Sequence, residues 1–550
     1  MVMFEVLYFN SLPLNLLKLK RYNMLKNALK NYAAKFCAVS FMAINTGLVA
    51  QIQLDHYYVN NSSAAIGTYQ GINFREGGFS GLYSIPGTNG KEFYTLSDRG
   101  VNVDAKNATC TPTYDKIYGF PSYAPKIHRI KITGDSIQIL ETFTVKRPNG
   151  TGATGVLNPT GFGSTASEEA WSDTVSNCLT KASKYVTKDA WGIDCEGIVI
   201  GKDNDFWVCE EGGATVWNLN ANGKVIKRYS PYANLVGAEA EDLAIDTVFK
   251  FRKNNRGFEG VAITPSGKIY ALIQSAILFP DKATGEASLV HRLLEIDPIT
   301  KATKMYAYLN PGDYSVGPDK IKAKDWKIGD LVAINDTSFL VIEQGVSAAN
   351  IVRKVFKIGI STATPVSSGL YGGKTLEALK NAAGLAGASI VPVTKTLFMD
   401  MRINSLWPDS LEKAEGLAII NDSTLAICND NDFGQASPLE NGIASAINIK
   451  SMLFVYNLKG SNKVPHYMAS NQVITAVNSL NKDENHFSIY PNPSSGEVFF
   501  NKTVSVEVYN ILGSVVSAHV NATSINVGAL SKGVYILKTS ENEVLRLVVE

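Results

Sequence analysis

The chain has 550 residues, 45% of them hydrophobic and 19% charged, with a formal net charge of +2. That balance, with no basic stripe or arginine-rich run, excludes a nucleic-acid partner. The length predicts two or more domains, and abundant Gly and Tyr with few helical stretches favour an all-β fold.

Residues 1–50 read as an N-terminal extension and a signal peptide. The better start is Met24, followed by lysines, an apolar stretch from Phe36 to about Ala50, and cleavage before Gln51. Beyond this leader no apolar run approaches the ~20 residues needed to span a bilayer, so no transmembrane segment is expected in the mature chain.

Residues 51–469 carry a repeat. In DCEGIVIGKDNDFWVCEEGG (194–213), two short runs rich in β-branched and aromatic residues flank a turn, and glutamates stand at both outer ends. An antiparallel hairpin sets its open ends side by side, so Glu196 and Glu210 are expected to be neighbours. The same pattern gives Ser80 with Asp98, Glu259 with Gln274, Gly329 with Glu343, and Glu415 with Asn429. A further strand-like run follows most copies: KIHRIKI, TVWNLN, VHRLLEI, VRKVFKI and MLFVYNL. Units of about four short strands that cannot bury both faces alone are the mark of a β-propeller. Five units are clear. The N-terminal strands around Ile52–Tyr58 and Ala65–Tyr69 are expected to complete a sixth, giving about six blades. The best helix candidate, residues 374–388, falls in an insertion.

If the first strand of each blade lines a central tunnel, the outer ends of these hairpins meet at one mouth. Asp98, Glu196, Glu210, Glu259, Glu343 and Glu415 would then repel one another strongly in a partly dry site. A hard cation is the simplest compensation. Oxygen ligands of flexible number suit calcium better than zinc or magnesium, so Glu196, Glu210, Glu259, Glu343, Glu415 and Asn429 are the candidate metal ligands. Protonated glutamates, or glutamates tied by hydrogen bonds between blades, are the alternative. The third strands bring His128-Arg129, His291-Arg292 and Arg353 toward the same rim, with Arg99 and Arg256 nearby. Arg99, Arg129 and Arg292 are candidate clamps for a phosphate or carboxylate, or else ordinary ion-pair partners of the rim acids. No G-x-S-x-G elbow, P-loop or H-E-x-x-H is present. A hydrolase here would use a metal-activated water, with Asp98 or Glu210 as base and His128 as general acid.

GGFSGLY…FYTLSDRG, DCEGI…DFWVCEEGG, NRGFEGVAITPSGKIYALIQS and KAEGLAII…LAICNDNDFG together resemble the phytase-like family with esterase-like activity, across roughly Phe74 to Leu458. SDRG, RGFEG and NDNDFG are the most specific pieces. The resemblance implies a propeller hydrolase acting on phosphate or carboxylic esters and, by kinship with propeller phytases, calcium. A lactonase or aryl-esterase-like propeller and a non-catalytic surface binding propeller with a structural cation remain open. A monomer acting on a small-molecule ester or phosphoester is expected.

Residues 470–486 are polar and read as a linker. From Phe487 to Glu550 the pattern is that of a small β-sandwich. Tyr490-Pro491-Asn492-Pro493, Gly513 and Leu530-Ser531-Lys532-Gly533-Val534-Tyr535 resemble the type A sorting domain of the type IX secretion system, with Arg546 where lysine is commoner. This implies handling by that machinery and a secreted or cell-surface location. Of the cysteines, Cys110 and Cys178 lie in polar insertions and form the candidate disulfide. Cys195, Cys209 and Cys428 are expected to pack between blades.

Overall fold

In the computed structural model, residues 52–104, 114–173, 183–234, 240–313, 321–346, 351–411, 413–435, 449–465, 487–540 and 543–550 are described. The leader, the linker, Cys110 and Cys178 lie outside these residues. The chain forms two compact units, residues 1–472 and 473–550.

The first unit is a propeller of four-stranded antiparallel blades. Blade 1 is Phe79–Ser84, Glu92–Ser97, Lys126–Thr133 and Ser136–Thr144; blade 2 is Cys195–Ile200, Phe206–Glu210, Thr215–Leu219 and Val225–Ser230. Blade 3 is Phe258–Ile263, Ile269–Ile273, Val290–Ile296 and Thr303–Leu309; blade 4 is Lys327–Ala333, Ser338–Val346, Ile351–Gly359 and Thr394–Asp400. Blade 5 takes Glu415–Asn421, Thr424–Cys428 and Met452–Leu458 from the end of the unit and its outer strand, Ile52–Val59, from the start. The ring therefore closes at five blades: the N-terminal strand completes the fifth instead of founding a sixth. Ala65–Tyr69 pairs with Ile72–Arg75 in a separate hairpin.

Five glycines explain the closure. A Cβ on Gly81 would lie 2.8 Å from the Glu196 carbonyl oxygen, on Gly197 2.8 Å from the Val261 nitrogen, and on Gly260 2.5 Å from the Leu331 nitrogen. On Gly329 it would lie 2.5 Å from the Ala414 carbonyl oxygen, and on Gly416 3.0 Å from the Gly81 carbonyl carbon. Each inner strand thus rests its backbone on the next, and the fifth rests on the first. Any larger side chain would push two blades apart. Asp330 reinforces the joint, its buried carboxylate accepting the N–H groups of Leu331 (2.7 Å) and Leu417 (2.6 Å).

The inner strands are buried along almost their whole length because blades pack on both faces, whereas the outer strands Ser136–Thr144 and Ile52–Val59 alternate between exposed and covered positions. Apolar side chains from every inner strand, among them Leu82, Val199, Val261, Leu331 and Leu417, line one end of the tunnel. The acidic residues hold the other end. Above it, insertions form a crown: the sheet of Asn102–Asp104, Tyr114–Tyr118 and Glu168–Trp171, packed through Phe74, Val103, Ile117, Trp171 and Phe433. The helix candidate forms a short turn, Glu377–Leu379, and a helix, Ala382–Gly387, within blade 4's insertion.

The second unit is a sheet of Ile489–Tyr490, Glu497–Tyr509, Val515–Asn526, Gly533–Thr539 and Val544–Val549 around its own core of Val506, Val508, Leu537 and Leu547. Among the described residues no helix is long and apolar enough to cross a membrane.

Candidate functional site

Every inner strand begins with a β-bulge. Register shifts fall between Phe79 and Gly81, Cys195 and Gly197, Phe258 and Gly260, Ile328 and Asp330, and Glu415 and Leu417. A bulge leaves one residue unpaired and re-aims its side chain. At Glu196 and Glu259 the bulged residue is itself the acid. The result is convergence: one carboxylate oxygen from each of Glu196, Glu259 and Glu415 lies within 4.8 Å of the others, all three side chains being buried. They come from blades 2, 3 and 5, and 219 residues (415 − 196) separate the first from the last in sequence.

Two more acidic triads adjoin. Asp194, Glu196 and Glu211 form one, sharing Glu196, and Asp98, Asp430 and Asp432 form the other, both to the same 4.8 Å limit. Eight carboxylates therefore crowd one mouth. Among the described residues the cations beside them are Arg99, Arg256, Lys327 and Lys413, while Lys116, which also acts on Asp194, is matched by its own partner Asp104 at 2.8 Å. If all twelve are ionised, the mouth carries four uncompensated negative charges (8 − 4), which a partly dry site tolerates poorly.

The electrostatics follow. Burial first, then Glu259, Asp194, Glu211 and Glu415, push Glu196 well above the ordinary carboxylate range. Burial, then Glu211 and Glu415, do the same to Glu259. Glu415 is raised by burial against the opposing pull of Lys413. Asp98 is raised by burial and by Asp430, while its Oδ1 accepts the Gly100 N–H at 2.9 Å. For Asp194 burial acts upward, but the Arg99 guanidinium overrides it and the carboxyl falls below its usual range. The Oε2 atom of Glu259 is buried with no hydrogen-bond partner, and so is the Oε1 atom of its neighbour Gln274. Stranded acceptors of this kind are costly. Backbone strain gathers at the same place: Asp432, Phe433, Ala214 and Asn255 all have positive φ, between 46° and 56°.

Four residues expected as ligands or as acid–base groups stand differently. Glu210 pairs across from Cys195 and accepts the Gly213 N–H (2.5 Å) and the Thr215 hydroxyl (3.1 Å), so it braces a turn; burial first raises it to about 7. Its neighbour Glu211 joins the acidic mouth instead. Glu343 pairs with Ile328 and turns to Lys395 and the Tyr308 hydroxyl, leaving Gln344 to face Glu415 at 3.4 Å. Both departures are one residue long. The bulge shifts the register, and a one-residue shift sends a side chain to the other face. Asn429 is spent on backbone, accepting the Met452 N–H at 2.6 Å and donating to the Lys450 carbonyl at 3.3 Å. His128 is buried inside blade 1 with Nδ1 3.0 Å from the Thr142 hydroxyl; burial, with Lys126, lowers it to about 4, so it is neutral and no general acid at pH 7.

Of the arginine clamps, only Arg99 is at the mouth, and it is engaged with Asp194 and the Tyr118 hydroxyl (3.2 Å). Arg129 lies on blade 1's outer strands between Glu92 (2.6 Å) and Glu141 (3.3 Å). Arg292 makes a fully buried bidentate pair with Glu377 at 2.7 and 3.0 Å. Truncating one partner of such a pair strands a buried charge and costs about 3–5 kcal/mol. Arg292→Ala is therefore expected to lower the melting temperature sharply while leaving KM at its wild-type value, as steady-state kinetics below the melting transition will show. Arg256 also acts on Glu211, and two further basic side chains that reach the mouth, Lys327 and Lys413, carry no motif. Cys195, Cys209 and Cys428 are buried free thiols beside the inner ring, as expected.

A family model described as phytase-like, esterase-like activity of phytase, matches residues 75–433, and one described as a secretion system C-terminal sorting domain matches residues 488–550. An uncharacterized secreted protein of Arthroderma benhamiae is 26% identical over 246 residues, 39% of this chain and 47% of that protein. The chain thus spans about half the length of the curated relative it matches. Solved structures to which the chain is loosely similar include the PQQ-bound aldose sugar dehydrogenase of Streptomyces coelicolor (9% identity, 73% of this chain and 98% of that one, TM-score 0.28). Streptogramin B lyase is another (9% identity, 92% and 89%, TM-score 0.23). Superpositions this loose carry no argument about chemistry. The sorting domain makes this an exported protein, secreted or held at the cell surface. With more than half of its length matched and the matched motifs gathered at one tunnel mouth, the chain belongs to the phytase-like family, the one described by the esterase-like activity of phytase.

Proposed function

We propose that the protein is a secreted hydrolase of phosphate or carboxylic esters, built around a calcium ion at the tunnel mouth. Glu196, Glu259 and Glu415 would hold the ion, with Asp194 and Glu211 alongside. The observation that carries this reading is the meeting of three buried carboxylates from three blades within 4.8 Å, one of them with a stranded oxygen. The donor set is all oxygen and lacks Cys or His, which suits a hard cation. When bound, the ion supplies Lewis-acid polarisation and balances the excess negative charge.

The chain's own residues provide the rest. Lys327 lies near Glu211 and Glu259, and Arg256 near Lys327; burial and then Arg256 and Lys413 hold the Lys327 amine below its usual range. Both cations would meet the developing negative charge on an ester's oxygens. Asp98, fixed by the Gly100 N–H, would take the proton of the attacking water. The triad side chains are only 7%, 2% and 5% exposed, so they lie under the rim. That depth favours a second reading, in which the ion is structural and the propeller only binds its ligand.

Purified protein assayed against phosphate, aryl and lactone esters, with and without a stringent chelator, separates the readings. Calcium-dependent turnover of phosphate or aryl esters supports the first. Turnover confined to lactones redirects the substrate class, and no turnover with calcium present leaves the binding propeller.

A further inference from the structure

Beside the acidic mouth, a buried ion pair joins two segments far apart in the chain. Arg252 donates to Glu168 at 3.1 Å (Oε1) and 2.9 Å (Oε2), 84 residues away, with both side chains essentially inaccessible. A fully buried pair contributes little net stability over well-packed apolar residues, so what it holds is the better guide to its role. Glu168 Oε1 also accepts the Asn255 N–H at 3.1 Å, and Oε2 accepts the Thr165 N–H at 2.6 Å. Arg252 donates a further bond to the Gly163 carbonyl at 3.0 Å. Asn255, held in the left-handed region at φ +50°, donates its side-chain amide to Glu211 Oε2 at 2.6 Å. Its Oδ1 is buried there without a partner. Two residues on, Gly257 lets the loop rest directly on Glu211, since a Cβ at that position would lie 2.2 Å from the Glu211 carbonyl oxygen.

We propose that the Glu168–Arg252 pair is a positioning device for the cation centre: it fixes Asn255, and Asn255 aims Glu211 at the ion. The inference rests on the calcium reading above. Hydrogen-bond partners behind ligating carboxylates set their orientation, and losing one typically costs about 10- to 100-fold in metal affinity.

The test is calcium titration calorimetry on the full chain for wild type, Glu168→Gln, Asn255→Gly and the control Glu377→Gln. Asn255→Gly keeps the left-handed backbone at no steric cost and removes the amide, so it decides the matter if Glu168→Gln fails to fold. The control breaks an equally buried pair remote from the mouth. The expected result is a calcium Kd about 10- to 100-fold weaker for Glu168→Gln and Asn255→Gly, with Glu377→Gln lowering the melting temperature but leaving Kd alone. Wild-type affinity in Asn255→Gly, or equal weakening in Glu377→Gln, overturns the positioning role while the calcium reading stands. A wild-type protein that takes up no calcium overturns both.

Discussion

Glu196→Gln is expected to lower calcium-dependent turnover by about two to three orders of magnitude, the usual cost of removing one preorganised electrostatic group. The size follows from position. Glu196 is the member shared by two acidic triads, so neutralising it acts on both at once. The same substitution should have the opposite sign on stability without calcium. With no cation beside it, Glu196 would be crowded by Glu259, Asp194, Glu211 and Glu415, and glutamine would remove that repulsion while keeping the shape. Chelated Glu196→Gln is thus predicted to melt above chelated wild type, and to gain far less on adding calcium. Calorimetric melting of both proteins with and without calcium reads the two signs together. A variant that melts below wild type in chelator would mean that Glu196 is a structural tie between blades.

The second large effect is pH-dependent stability in the absence of calcium. Burial, then Asp194, raises Glu211 from 4.5 to about 8, and burial raises Glu210 to about 7, with Glu196, Glu259 and Glu415 shifted in the same direction. A carboxyl whose folded value lies above its unfolded one binds more protons folded than unfolded across that window. Stability is then full below about pH 4.5 and is lost as pH rises through about 7 and 8. For Glu211 alone the shift corresponds to on the order of several kcal/mol. On the calcium reading the bound ion would replace the protons, so the loss should be abolished at saturation. Melting temperatures at pH 5, 6, 7 and 8 in chelator are expected to fall steadily, and those in calcium to stay level or rise. A chelated protein that gains stability toward pH 8 would show that the mouth is ionised and self-sufficient.

Much of this site is legible in the amino-acid order. Short strands, turn residues and a recurrent acid at the start of successive hairpins suffice to bring Glu196, Glu259 and Glu415 to one mouth, because a propeller sets all its inner strands parallel around one axis. What is not legible has particular causes. The bulges turn Glu210 and Glu343 away in favour of Glu211 and Gln344, and no apolar alternation betrays an extra residue in a strand. Asp194, Asp430 and Asp432 precede or follow strands, where loop geometry decides their direction. Arg292 looks like a clamp until its partner appears 85 residues away as Glu377. The blade count depends on whether Ile52–Val59 pairs with Met452–Leu458, a contact spanning nearly the whole propeller sequence.

The most direct measurement is a crystal structure of the protein grown in calcium, with anomalous differences to locate the ion. An anomalous peak coordinated by Glu196, Glu259 and Glu415 is the predicted result. A mouth holding only water, with those three carboxyls hydrogen-bonded to one another, would contradict the account.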